Sequence, residues 1–244
     1  MTQVTRIALW SGPRNISTAM MRAFENRSDS LVDDEPFYAF YLKTTGLEHP
    51  ATAAILASQP NDWREVAANL TGPVPEGVRV FYQKHMAHHL LPEIERDWMR
   101  GLEHAFLIRE PRAMLSSYLE KREQATLEDL GFPQQVALYD WLALETGQPP
   151  AIVDSRQVLE NPRGVLAALC EALGIEFQES MLSWPAGQRD SDGVWADHWY
   201  DAVLKSTGFQ PYKSKDIRLT PELEALAARA KPYYDYLHSR RLGA

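Results

Sequence analysis

Short, wholly apolar runs alternate with helix-period segments along almost the entire chain. That alternation restricts the fold more than any other feature. A strand covered on both faces needs no polar side, so it reads as an unbroken apolar run. Thr5–Trp10, His104–Arg109 and Ala151–Asp154 fit this description, and the core of the second is apolar throughout. After the first run, Ile16, Met20, Met21 and Phe24 recur at helical spacing. Strand and helix in turn predict an α/β chain in three layers, a central parallel sheet flanked by helices.

The remaining elements follow the same logic. Leu31–Val32 and Val78–Lys84 read as strands. Residues His49–Leu70 read as helical with a break at Gln59-Pro60, and Asn61 or Asp62 is placed to cap the second piece. Helices are also expected over Leu90–Met99, Arg112–Arg122 with Pro111 in its first turn, and Gln134–Thr146. Another starts at Asn161-Pro162 and runs to Leu173, ended by Gly174. The last runs from Thr220 to about Ala230. Trp184–Tyr212 is irregular, and such a segment is expected to serve as a lid or active-site loop. With no internal repeat and no linker, residues 1–244 read as a single domain.

A formal net charge of −8 argues against a nucleic-acid partner, because bulk repulsion opposes phosphate contacts. It still allows one small basic pocket. The single cysteine, Cys170, lies in the apolar run Val165–Leu173 and reads as a buried hydrophobe, as expected in a reducing compartment. The polar start Met1–Arg6 lacks a signal-peptide apolar core, and no apolar stretch is long enough to span a bilayer. A cytoplasmic protein without membrane association is the expectation.

The first strand ends in Ser11-Gly12-Pro13-Arg14-Asn15-Ile16-Ser17-Thr18. Ligands of open parallel sheets bind beyond such strand ends. Gly12 is expected to supply a positive φ or a close backbone approach. Ser17 and Thr18 fall in the first helical turn, where free N–H groups and the helix dipole attract an anion. Arg14 adds a permanently charged fork. Counted from Gly12 against the Walker A pattern, Ser17 replaces the second glycine, Thr18 the lysine and Ala19 the metal-binding hydroxyl. The loop is built for a phosphate, yet a kinase or nucleotide hydrolase of the usual kind is disfavoured. A plain strand-to-helix turn is the simpler alternative. A second constellation follows the strand His104–Arg109: Arg109 at its end and Ser117 two turns into the next helix are placed to hold one phosphate.

Together these two constellations resemble the sulfotransferase family. That family carries a [PG]-[KR]-x-x-[ST]-T loop for the 5′-phosphosulfate, and an Arg followed eight residues later by a Ser for the 3′-phosphate. Pro13–Thr18 matches the loop, and Arg109 with Ser117 matches the spacing. The stretch Asp154–Ile175, with Val158–Val165 and Leu173-Gly174, is similar to the family's late strand and helix. Trp10–Thr18 and Asp34–Tyr38 resemble most the bacterial and plant sulfotransferase-like proteins, labelled aminotransferase-like because plants fuse the domain to such an enzyme. Many members have glycine where this chain has Ile16. The resemblance implies a P-loop fold and 3′-phosphoadenosine 5′-phosphosulfate as donor, bound by Gly12, Pro13, Arg14, Asn15, Ile16, Ser17, Thr18, Arg109 and Ser117. It also implies Lys205, within Lys205–Phe209, at the family's glycine-containing basic loop.

The implied reaction moves a sulfuryl group to a hydroxyl or amine of a small-molecule or carbohydrate acceptor. It needs a stabilised leaving group and a base. Arg14 and the helix N–H groups serve the first need, and Lys84 is placed to touch the bridging oxygen. Glu35, in Asp33-Asp34-Glu35-Pro36, and His85, after Lys84, are the two candidate bases, with Glu35 ranked first. Trp195, Trp199 and Tyr200 either line the acceptor pocket or pack. His85 and His89 would share a helix face, but without a cysteine cluster or an HExxH glutamate no metal is expected. A phosphotransferase or nucleotide hydrolase, and a non-catalytic nucleotide-binding module, stay open as alternatives.

Overall fold

The computed structural model describes residues 4–119, 125–214 and 216–243. Five strands form one parallel sheet: β1 Thr5–Ser11, β2 Ser30–Asp34, β3 Val80–Met86, β4 Glu103–Ile108 and β5 Ala151–Asp154. Their order is β2-β3-β1-β4-β5. The helices are α1 Ser17–Glu25, α2 Tyr38–Thr45, α3 Thr52–Ser58, α4 Trp63–Thr71, α5 Pro111–Tyr118, α6 Phe132–Thr146, α7 Ser155–Glu160 and α8 Pro162–Ala172. Two single turns, α9 Ala196–Trp199 and α10 Asp201–Leu204, precede the long α11 Pro221–His238.

Strand residues alternate between two cores. Ile7, Leu9, Ala105 and Leu107 pack with α1 and α8. Ala8, Trp10, Phe106 and Ile108 pack with α5, α6 and α11 on the opposite face. Each fully buried large aliphatic chain contributes about 1.5–3 kcal/mol, which is why these runs carry no polar residue. β1 is central, with β3 and β2 on one side and β4 and β5 on the other. The carboxyl ends of β1, β3 and β4 therefore open onto one crevice, the ligand position of such sheets.

Local signals fix the helix starts. Asp62 accepts from the Arg64 N–H at 2.9 Å to cap α4. Glu110 accepts from the Ala113 N–H at 2.9 Å to cap α5, with Pro111 as the first helical residue. Asn161 caps α8, and Gly174 after it is left-handed, with φ 67°.

Gly12 has a role other than the expected one. Its φ is not positive; Arg14 and Ile16 are the loop residues in the left-handed region, at 59° and 61°. A β-carbon on Gly12 would stand 2.4 Å from the Leu130 carbonyl oxygen. Glycine is needed so that the chain before α6 can pass against the loop. Gly12→Ala should destabilise the fold by about 1–3 kcal/mol, read from the midpoint of chemical unfolding.

Other elements depart from the expected boundaries. β3 begins at Val80 and ends at Met86, two residues later than expected at both ends. No α-helix forms over Leu90–Met99; the chain turns there and makes only a 3₁₀ stretch, Asp97–Gly101. α11 continues past Ala230 and through Pro232, held by Ala230, Tyr234 and Leu237 on the core. The end of the helix expected over Arg112–Arg122 falls partly outside the described residues.

Candidate active site

A cavity of about 360 Å³ opens at the carboxyl end of the sheet. Pro13, Arg14, Asn15, Ile16, Ser17 and Thr18 form one wall, and Arg109 and Ser117 adjoin them. Glu35 and Lys84 stand on another wall, beside Tyr38, His49, His88 and His89. The segment 184–212 closes a further side with Trp199, Tyr200, Ser206 and Phe209. Lys205 and His85 are not among the lining residues. Lys205 is exposed, although its neighbour Ser206 reaches the cavity.

The loop is fixed from below. Asn15 is buried and donates through Nδ2 to the Leu107 carbonyl at 3.0 Å, which ties the turn to β4. Arg109 donates through Nη1 to the Arg14 carbonyl at 2.5 Å. Arg14 in turn donates through Nε to Ser117 Oγ at 3.1 Å and through Nη1 to the Trp199 carbonyl at 3.2 Å. Ile16, the residue before α1, supplies no side-chain cap. An uncapped first turn leaves N–H groups without helical partners, and here Ser17 and Thr18 face the cavity. Ile16 holds a left-handed conformation that a β-branched residue rarely adopts. This chain accepts backbone strain at the mouth of the helix.

Lys84 and His85 part company by strand alternation. Leu9 lies beside Lys84 and Trp10 beside His85 in the β1–β3 register. Lys84 therefore points with the Leu9 face and His85 with the Trp10 face. His85 stacks on Trp10 with ring centroids 4.3 Å apart. Burial, with His104 and Lys84 nearby, pushes its pKa down to about 3. It is a neutral packing residue on the far side of β3. His85 and His89 do not share a helix face, because one is in the strand and the other in a 3₁₀ turn. Among the described residues no group of three metal-ligating side chains comes together.

Lys84 is 1% exposed and meets three oxygens: Asp34 Oδ1 at 2.7 Å, Glu35 Oε1 at 2.6 Å and the Tyr200 hydroxyl at 2.8 Å. Burial opposes its charge, but the carboxylates of Asp34 and Glu35 outweigh it and hold the ammonium well above the usual lysine range. Burial, opposed by Lys84 and assisted by Asp34, raises the pKa of Glu35. Oε1 of Glu35 is committed to Lys84, whereas Oε2 makes no hydrogen bond among the described residues and lies 4.0 Å from His89 Nδ1. Glu35 also has φ 50°, a strained backbone at the end of β2.

Long-range partners that local spacing does not announce hold segment 184–212 in place. Tyr200 donates to Asp34 Oδ2 at 2.7 Å and Trp195 Nε1 to the Tyr200 hydroxyl at 3.1 Å. The Gly193 N–H donates to Asp34 Oδ2 at 3.2 Å. Arg22 pairs with Asp192 at 2.6 Å, with neither side chain exposed. The segment expected as a lid or active-site loop is thus a strap, pinned to α1 and β2.

An uncapped helix start, two hydroxyls and two guanidinium groups on one crevice wall make a donor set for phosphate oxygens. The site has the class of geometry that a P-loop group-transfer enzyme needs. The chain belongs to the sulfotransferase domain family, whose model matches residues 5–241. It is 38% identical over 204 residues to branched-chain-amino-acid aminotransferase-like protein 2 of Arabidopsis thaliana, and 36% identical over 231 residues to protein 1. Those matches cover 83% and 94% of this chain but only 36% and 41% of the plant proteins. The chain therefore spans well under half of either relative. Among solved structures it is similar to the sulfotransferase domain from the curacin biosynthetic pathway, with TM-score 0.57 and 15% identity over 95% of this chain and 98% of that one. It is similar to the Alicyclobacillus acidocaldarius sulfotransferase, with TM-score 0.57 and 14% identity over 98% and 97%. It is also similar to mouse sulfotransferase SULT7A1 complexed with PAP, with TM-score 0.50 and 13% identity over 94% and 89%. At these identities the structural likeness concerns the fold, a parallel sheet flanked by helices. Among the described residues, no helix is long and apolar enough to cross a membrane.

Proposed function

We propose that this chain transfers a sulfuryl group from 3′-phosphoadenosine 5′-phosphosulfate to a hydroxyl or amine of a small-molecule or carbohydrate acceptor. The observation that carries this reading is convergence: Arg109, Ser117, the open start of α1 and Glu35 all face one cavity. When bound, the donor supplies a sulfuryl group carried on a phosphate leaving group.

The residues have separable tasks. The first-turn N–H groups of α1, with Ser17 and Thr18, hold the 5′-phosphate side and stabilise charge there as it develops. Arg109 and Ser117 hold the 3′-phosphate. Glu35 takes the acceptor's proton on Oε2, the oxygen that Lys84 leaves uncommitted. Lys84 acts by fixing the carboxylate: its three N–H protons match its three partners, so reaching a bridging oxygen would require giving one up. His85, turned to the opposite face, has no part in this scheme.

Arg109→Ala tests the assignment of the nucleotide's ends. A charge-assisted phosphate contact is worth about 1.5–3 kcal/mol, or roughly 10–150-fold in affinity. Adenosine 3′,5′-bisphosphate should weaken by that factor in calorimetry, while adenosine 5′-phosphate is spared. Equal losses for both nucleotides would reject the 3′-phosphate role of Arg109.

A further inference from the structure

Tyr200 stands at the junction of α9 and α10, on the strap, and lines the cavity. Its side chain is buried and its hydroxyl is engaged on three sides. It donates to Asp34 Oδ2 at 2.7 Å, and accepts from Lys84 Nζ at 2.8 Å and from Trp195 Nε1 at 3.1 Å. A phenol offers one proton and two lone pairs, so the group is fully used. Lys84 is used up in the same way, its three N–H protons meeting Asp34, Glu35 and Tyr200. Asp34 takes two of its donors from the strap, the Tyr200 hydroxyl and the Gly193 N–H at 3.2 Å. Burial and the Asp34 carboxylate, against Lys84, hold the Tyr200 pKa well above the usual range, so the hydroxyl keeps the proton it donates. Hydrogen bonds in such a buried, fully satisfied network support one another.

We infer that Tyr200 is a positioning residue for Glu35: from the strap it restrains Lys84 and Asp34, so that the ammonium stays on Oε1 of Glu35 and Oε2 is left for the acceptor. This role rests on the reading of Glu35 as the base. Without the hydroxyl, Asp34 loses a donor and Lys84 loses an acceptor. Asp34 then bears on Glu35 with less of its charge offset. Lys84 is held less firmly against Oε1. Both changes favour the protonated form of Glu35. The groups that face Glu35 are Asp34 beside it on β2, Lys84 on β3 and His89 in the turn after β3, with Tyr200 acting through the first two. Burial, with the neighbouring histidines and Lys84, holds the His89 pKa well below its usual value, so that ring adds no charge.

Carbon-13 NMR of the Glu35 carboxyl, assigned by its absence from Glu35→Gln, tests this on the parent and on Tyr200→Phe without need of an acceptor. The variant keeps the ring and loses only the hydroxyl. Its Glu35 midpoint should lie above the parent's by on the order of one pH unit, the scale of a hydrogen bond to a charged group. Affinity for adenosine 3′,5′-bisphosphate should stay within about threefold. Trp195→Phe removes a single bond to the same hydroxyl and should move the midpoint the same way and by less; it also serves if Tyr200→Phe does not fold. A midpoint that is unmoved, or that falls, overturns the role of Tyr200 and leaves Glu35 as the base. A raised midpoint with a larger loss of bisphosphate affinity marks a general loosening of the site, and overturns it too. Undiminished turnover in Glu35→Gln removes the base reading, and this inference with it.

Discussion

A Glu35→Gln variant should bind adenosine 3′,5′-bisphosphate as the parent does and lose about 10²–10⁴-fold in turnover, the usual contribution of a general base. The change removes one ionisation and little else. The amide oxygen can still accept from Lys84, which also keeps its bonds to Asp34 and Tyr200. The pH profile sharpens the test. Burial, opposed by Lys84 and assisted by Asp34, lifts the Glu35 pKa above the ordinary carboxylate range. Parent turnover should therefore rise with pH as this carboxyl ionises, with a midpoint above that of a free glutamate. The Gln variant should lack that acid limb. Measured as release of the bisphosphate product with an acceptor the parent uses, undiminished turnover would remove Glu35 as the base. So would a retained acid limb with the same midpoint.

Lys84→Met should be the most destabilising single change at the site. Lys84, Asp34 and Tyr200 are all buried, and the lysine is the positive centre of the cluster. Removing one partner of a buried ion pair costs about 3–5 kcal/mol, because the charge left behind is neither solvated nor compensated. For a chain of this size each kcal/mol is worth about 2–4 °C in Tm, so a fall of roughly 6–20 °C is expected. Adding Asp34→Asn should recover part of the loss, since the two residues are coupled. A drop of less than about 1 kcal/mol in urea unfolding would show that the cluster contributes little to the fold. The contrast with Glu35→Gln tests the two proposed roles: a large loss of turnover without a loss of stability at Glu35, and the reverse emphasis at Lys84.

The layers of the fold were legible because the strands are buried on both sides. Ala105–Ile108 and Ile152–Val153 have no polar face to confuse the pattern. The capping residues Asp62 and Asn161 were legible for an equally local reason, an oxygen two or three residues ahead of the N–H it accepts from. α2 gives no helical signal in the sequence, because Tyr38–Leu42 is buried all round and shows no amphipathic stripe. Leu90–Met99 mimics a helix in sequence: its apolar residues fall near helical spacing, but the chain turns to pack Leu90, Leu91 and Ile94 against α2 and α4.

The site divides along the same line. The loop Pro13–Thr18 and the pair Arg109 and Ser117 were visible as spacings along the chain. Which of Lys84 and His85 faces the cavity depends on the register of β3 against β1, and a one-residue step exchanges them. Tyr200 and Asp192 act through partners 166 and 170 residues away, and Trp195 through Tyr200 across a turn, and no local pattern identifies those partners. Their one advance signal was the density of aromatic and acidic residues in an otherwise irregular segment.

The central claim is that two anion sites, one at the start of α1 and one at Arg109, hold a nucleotide phosphorylated at both ends without a metal. Titration of the parent protein with adenosine 3′,5′-bisphosphate in chelator, set against ATP with magnesium, tests it most directly. The account predicts tight binding of the bisphosphate alone. Binding of magnesium ATP with no measurable affinity for the bisphosphate would contradict it.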